Sequence, residues 1–334
     1  MTSKHKTKQA LAALAVLGGM AAALPSGAAA AETYALIPKG LIDPFGAKMK
    51  DGCEAAAKEI GVTCLFVGPT SNDEGAQIQT LNDMVTRGLD GIAIAPKNPK
   101  SVARFIKKAK DSGIPVITFD SDLPEDNQDL RTSFVGTDNY NFGVTLAKKV
   151  IEMKPKGGTV CIQSGTPGSI NLDTRVQGVR DTLAGSDRSK PVAKLDGQNG
   201  WTEPSGCPLY NNDDITLAAQ QLNDLVIAHP DLDALIAVGG WAQYAPDAYK
   251  RAMNRVKERI DAHEFVISFG DAEPPQMPLL KAGLSSFNVG QNPYQIGYKA
   301  LMALHDIKAG KTIPPSIDTG FVTCTPEQAD TCGK

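Results

Sequence analysis

The chain has 334 residues, with 34 Lys and Arg against 37 Asp and Glu and a formal charge of −3. A weakly acidic balance argues against nucleic acid or an anionic membrane surface as a partner. The length admits one large α/β domain or two of ordinary size, and either buries a substantial core.

Lys4, Lys6 and Lys8 precede an uncharged stretch from Ala10 to Leu24, and small residues then run to Glu32. This reads as an export signal: its apolar part is shorter than the roughly 20 residues of a bilayer-spanning anchor. Ala29 and Ala31 supply the small side chains a signal peptidase accepts, so residues 1–31 are expected to be the signal peptide, with cleavage after Ala31. Its removal, with three lysines and no acid, takes the formal charge from −3 to −6. All six cysteines, Cys53, Cys64, Cys161, Cys207, Cys324 and Cys332, lie beyond it. An even number in an oxidising compartment reads as three disulfides, although the sequence does not choose among the fifteen pairings. Cys53–Cys64, Cys161–Cys207 and Cys324–Cys332 are the working assignment. No CxxC pair occurs, and His229, His263 and His305 have no ligand spacing beside them, so neither a metal nor a cofactor is expected.

Beyond the signal, short apolar runs alternate with amphipathic ones. "TYALIPK", "VTCLFVG", "DGIAIAP" and "IPVITFD" read as strands, separated by helical patterns at Pro44 to Ile60, Asp73 to Arg87 and Pro99 to Asp111. The alternation restarts with "TSFVGTD", "TVCIQSG", "ALIAVGG", "FVISFGD" and "SSFNVGQ". Helices are expected near Asn139 to Met153, Leu172 to Leu183, Asp214 to Ala228, Pro246 to Lys257, Pro274 to Ala282 and Pro293 to Ile307. Near-continuous apolar strands alternating with helices imply parallel sheets covered on both faces, and there are enough units for two doubly wound domains.

Ligands collect at the carboxyl ends of such strands. The polar residues that follow the strands include Lys39 and Asp43, Asp120 and Asp122, Asp138 and Asn139, Ser164, Asp271 and Gln291. Helix capping is the simpler reading of Asp138, Asn139 and Ser164. Asp120 and Asp122 end a strand as D-x-D, which resembles the first motif of haloacid-dehalogenase-type phosphatases. That family opens with its D-x-D strand, whereas three strand and helix units come first here, and "DSDLP" lacks the hydroxyl residue expected after the second acid. Glycoside hydrolysis would rest on scattered acids alone. No GxSxG elbow, P-loop or GxGxxG occurs. Carboxylates and amides that accept from vicinal hydroxyls, with rings against sugar C–H faces, need no chemistry at all. Phe45, Trp241 and Trp201 stand in loops suited to that role, with core packing an equal reading for Phe45 and Trp201.

"IPKGLIDPFGAKMKDGCEAAAKEIG", "IPVITFDSD", "FVGTDNYNFG", "HPDLDALIAVGG", "FGDAEPPQMPLLKAG" and "VGQNPYQIG" together resemble the ribose-type periplasmic sugar-binding proteins, the type I solute-binding components of ABC importers. The likeness spans residues 33 to 320. It implies two α/β domains joined by three crossovers: 32–138 with 292–320, and 139–291 with 321–334. It also implies a non-enzymatic, periplasmic and monomeric protein that closes about its hinge on a carbohydrate and docks on an inner-membrane ABC permease, with a chemoreceptor as a further partner. The lactose-repressor family shares the fold but carries a DNA-binding segment where this chain has its signal. Lys39, Asp43, Phe45, Asp120, Ser121, Asp173, Asp213, Gly239, Asp271 and Gln291 match the family's ligand contacts. Trp241 and Asn171 stand beside matched positions and join the expected binding set. Ser121 and Asp173 replace arginines, Gly46 and Asp213 replace aromatics and Gly239 replaces an asparagine, which turns the expectation away from ribose. Arg175 is expected to support structure. With Lys39 as the expected cationic contact among several aspartates, a neutral monosaccharide, a polyol or an amino sugar is favoured over an anionic ligand.

Overall fold

The computed structural model describes residues 1–2, 31–41, 43–71 and 73–333, so the expected export signal lies almost wholly outside the described residues. No helix among the described residues is long and apolar enough to cross a membrane. From Ala31 onward the chain forms one unit built on two sheets.

The first sheet takes β1 (Thr33–Ile37), β2 (Thr63–Phe66), β3 (Gly91–Ile94), β4 (Val116–Phe119) and β5 (Phe134–Gly136). Helices α1 (Pro44–Ile60), α2 (Glu74–Arg87) and α3 (Pro99–Asp111) connect its strands. The second sheet follows α4 (Asn139–Met153) with β6 (Gly158–Ser164), α5 (Ile170–Leu183), β7 (Trp201–Thr202), β8 (Leu209–Tyr210) and α6 (Ile215–Ala228). It continues with β9 (Ala234–Ala237), α7 (Pro246–Asn254), α8 (Lys257–Asp261), β10 (Val266–Gly270), α9 (Met277–Lys281) and β11 (Phe287–Gln291). Helix α10 (Pro293–Lys308) then packs on the first sheet, β12 (Ser316–Asp318) pairs with β5, and β13 (Phe321–Cys324) pairs with β11. The chain therefore passes between the sheets three times, after β5, after β11 and after β12. The orders are β12-β5-β4-β3-β1-β2 and β13-β11-β10-β9-β6-β7, with β8 also on β6; every pairing is parallel except β11 with β13.

The helices begin where the sequence supplies a cap. Asp43, Asp73, Asn98, Asp138, Asp214 and Asn292 each accept a backbone N–H of the first turn that the helix itself leaves unpaired. Two pairs of glycines then bring helices into backbone contact at equivalent places in the two lobes. A Cβ on Gly52 of α1 or Gly297 of α10 would collide with the Tyr294 or Met49 carbonyl of the other helix. A Cβ on Gly143 of α4 or Gly178 of α5 would meet the Arg175 or Tyr140 carbonyl in the same way. These close pairs fix the helices that carry Phe45 and Met49 on one side of the cleft and Arg175 on the other.

The structure joins Cys53 to Cys64, Cys161 to Cys207 and Cys324 to Cys332. Trp201 corrects the cleft reading: it is almost fully buried in the core of the second lobe, where β7 pairs with the start of β6. The helix expected over Pro246 to Lys257 is divided into α7 and α8, and the one expected over Pro274 to Ala282 is shortened to α9.

Candidate functional site

The strand ends of the two lobes face each other across a cavity of about 70 Å³. One water needs only about 10–15 Å³ by the same measure. The first lobe contributes Lys39 and Gly40 after β1, Asp43, Phe45 and Met49 around the start of α1, and Asp120 after β4. The second contributes Asn171 and Arg175 on α5, Asp213 after β8, Gly239, Trp241 and Tyr244 after β9, Asp271 after β10 and Gln291 at the end of β11.

Asp120, Asp213 and Asp271 have φ of 58°, 62° and 68°, in the left-handed region that non-glycine residues rarely occupy. At Asp120 and Asp271 the backbone N–H still completes the sheet, donating to Val135 and Val289 of the neighbouring strand at 3.0 and 2.7 Å. The chain turns immediately afterwards, which leaves each carboxylate at the rim of its sheet. Asp43 uses one carboxylate oxygen to cap α1, at 2.7 Å from the Gly46 N–H.

Lys39 reaches across the cleft. Its ammonium donates to Ser169 Oγ at 2.9 Å and Asn171 Oδ1 at 2.8 Å and stands 3.7 Å from Asp120. Asn171 in turn approaches Asp120 with its amide at 3.4 Å. Arg175 is buried over the Phe142 ring, 4.4 Å from its centroid, and donates to the Val238 carbonyl at 2.9 Å, Asn139 at 2.8 Å and Gln291 Oε1 at 2.5 Å. Gln291 donates to Asp271 at 2.8 Å. Asp271 also accepts from the Gly240 N–H at 2.9 Å and the Tyr244 hydroxyl at 3.2 Å.

Burial dominates the electrostatics. It raises the Asp43 carboxyl to about 6, aided by the charges of Asp271, Asp120 and Asp213 and opposed by the Gly46 N–H. Burial also raises Asp271 against the opposing pull of Arg175, Gln291, Gly240 and Tyr244. Next to Asp271, burial of the Tyr244 phenol holds it well above its ordinary value, so it serves as a neutral hydroxyl. Glu273, two residues beyond Asp271, is raised to about 8 by burial and by that neighbour.

The cavity brings together Lys39, Asp43, Phe45, Asp120, Asn171, Asp213, Trp241, Asp271 and Gln291 of the expected residues. Ser121 and Asp173 lie outside its lining. Ser121 is fully buried behind Asp120, and its backbone N–H folds back on the Phe119 carbonyl at 2.5 Å. Asp173 is exposed because it sits two residues past Asn171, about 200° round the helix. Arg175, four residues past Asn171, returns to the same face. The lone-cation expectation is corrected twice: Arg175 lines the cavity, and Lys97 pairs with Asp213 at 3.3 Å. Tyr244 was also missed, although it stands three residues after Trp241 on a 3-10 turn, a spacing that superimposes side chains. Asp122 takes no part: Arg131 grips both of its oxygens at 2.8 and 2.6 Å, and Thr118 adds a bond at 2.5 Å. A phosphatase-like D-x-D site thereby loses its second carboxylate.

A family model described as a periplasmic binding protein domain matches residues 34–312. The chain belongs to the periplasmic binding protein family. It is 28% identical over 298 residues to the D-allose-binding periplasmic protein of Escherichia coli, covering 87% of this chain and 89% of that one. Identity to the D-ribose/D-allose-binding protein of Pseudomonas aeruginosa is 29% over 247 residues, or 70% of this chain and 72% of the relative. Among solved structures, a solute-binding protein from Burkholderia graminis in complex with D-arabinose superposes with a TM-score of 0.78 at 27% identity, covering 91% of this chain and 99% of that one. One from Agrobacterium vitis bound with α-D-tagatopyranose gives 0.77 at 26%, covering 90% and 97%. The two solved structures are ABC transporter solute-binding proteins, and the likeness extends over both lobes of the present chain.

Proposed function

We propose that the protein captures a neutral monosaccharide, a polyol or an amino sugar between its lobes and delivers it to an ABC import permease of the inner membrane. It does so as an exported monomer cleaved after Ala31. The observation that carries this reading is the unequal bonding of the cleft acids. Asp271 holds three close donors, from Gly240, Tyr244 and Gln291, whereas among the described residues Asp120 has only the 3.7 Å and 3.4 Å approaches of Lys39 and Asn171. Asp120 therefore keeps acceptor capacity for ligand hydroxyls, and Lys39 and Asn171 supply donors around it. Trp241 and Phe45 offer ring faces to sugar C–H groups. A hydroxyl of the wrong configuration leaves a buried group unpaired, at about 1–3 kcal/mol. The hinge runs through the three crossovers, so closure brings half-sites on separate sheets into one cavity. The names of the allose-, ribose- and arabinose-binding relatives agree with a carbohydrate ligand.

A thermal-shift panel of pentoses, hexoses, polyols and amino sugars tests the reading, because a ligand bound only by the native state raises the melting temperature. At least one member is expected to shift it. No shift across the panel, together with Mg²⁺-dependent phosphate release, would overturn the reading.

A further inference from the structure

Beside the crossovers lies a second cavity, of about 300 Å³. Asn292 and Tyr294 line it where the chain leaves β11, Gly320 and Phe321 where it leaves β12, and Gly333 at the tail. It shares only Gln291 with the cleft cavity. Glu273 lines it and is only 4% exposed, yet no described residue donates to its carboxyl. The Thr319 hydroxyl of the same lining is buried and has no partner among the described residues. Buried polar groups left unpaired cost free energy unless a further partner meets them. A Cβ on Gly333 would collide with the Ala272 carbonyl, so the disulfide-closed tail lies directly on the backbone beside Glu273.

The charges select the class of partner. Lys48 of α1 also lines the cavity, and no ion pair joins it to Glu273, so an ammonium and a carboxyl border one space without meeting. A simple cation would meet Lys48 there, and a simple anion would meet Glu273 with Asp271 and Asp43 nearby. A zwitterion presents one charge to each. Phe321 and the exposed Tyr294 and Val322 offer an apolar wall. We propose that this cavity is a second ligand site, which takes a small zwitterion with an apolar chain, of the amino-acid kind, its ammonium on Glu273 and its carboxylate on Lys48. The site does not depend on what the cleft binds. Burial raises the Glu273 carboxyl to about 8, aided by Asp271 and Asp43 and opposed by Lys48, so at pH 7 the ligand-free site holds a proton. An arriving ammonium favours the carboxylate, and that proton passes to solvent.

Calorimetry with L-norleucine at pH 7, without sugar and in buffers of different ionisation enthalpy, tests the site. Wild type is expected to bind it and to release about one proton per ligand. Pentylamine and hexanoate, each lacking one of the two charges, should bind at least about tenfold more weakly. Glu273→Gln should abolish binding and proton release together. Lys48→Met, at a half-exposed side chain, should weaken binding about tenfold and keep the proton release. Both variants should keep the wild-type circular dichroism spectrum. Asp120→Ala, altered in the cleft, should bind norleucine as wild type does. No binding by wild type, binding without proton release, undiminished binding by Glu273→Gln, or binding lost in Asp120→Ala would each overturn the proposal. The heats are read without sugar, so a failed norleucine titration leaves the capture function intact, and a failed sugar panel leaves this site intact.

Discussion

Asp120 and Asp271 occupy equivalent places in the two lobes and have been put to different uses. Each ends an apolar strand, donates its N–H to the next strand and turns through a left-handed backbone. Asp271 is buried among three donors and beside the Arg175 guanidinium. Asp120 faces Lys39 and Asn171 at longer range. One half-site is thus organised by its own lobe, and the other is completed from across the cleft. A clamp of this kind gains selectivity from the more fully bonded side, held by its own lobe, and affinity from the side with bonds to give.

The largest expected effect separates the two acids directly. Asp120→Ala should weaken sugar binding by about 100-fold or more in calorimetry, since charged hydrogen bonds contribute about 1.5–3 kcal/mol each, with the melting temperature nearly unchanged. Retained affinity would remove Asp120 from the site. Asp271→Ala should instead reduce stability, by about 2 kcal/mol in chemical denaturation, because it strands buried donors and the neighbouring guanidinium. A variant as stable as wild type would break the distinction between a well-bonded and an open acid.

Asp122→Asn sharpens the contrast from the sequence side. Loss of the Arg131 pair should cost about 1–2 kcal/mol of stability and leave affinity within about threefold. A large loss of affinity would return Asp122 to the cleft. A separate effect concerns pH. The Asp43 carboxyl is raised to about 6 in the folded protein, above its ordinary value of 3.8. The native state therefore holds this proton where the unfolded chain has released it, and stability should fall as pH rises from about 4 to about 6. Asn caps a helix as well as Asp does, so Asp43→Asn should flatten that segment of the stability profile by up to about 3 kcal/mol, read from denaturation midpoints. An unchanged slope would place the titration elsewhere.

The principal strands could be read from the sequence because fully buried parallel strands are continuous apolar runs, and the longer helices because their caps and faces are local. The edge strands β7, β8, β12 and β13 were not legible. They are two to four residues long, and only their pairing with β6, β5 and β11 makes them strands. Trp201 stayed open between cleft and core for the same reason, since an aromatic in a loop-like stretch gives no sign of which core receives it. Lys97 was within reach: it follows β3 as Lys39 follows β1, and the rule that polar residues after strands face the ligand applied to it equally. Arg175 and Tyr244 could have been found from the four-residue and three-residue spacings to Asn171 and Trp241.

By itself, then, the sequence determined the α/β alternation, the helix starts and the row of acids and amides at strand ends, because these depend on neighbours within a few residues. Only the tertiary structure decided which of those acids keep free acceptor capacity. Asp271 and Asp213 are committed to donors or cations far away in sequence, Asp122 is committed to Arg131 across a loop, and Asp120 is the least committed of them. Hydrogen-bond saturation depends on what the fold brings within 3 Å, and no local pattern encodes that.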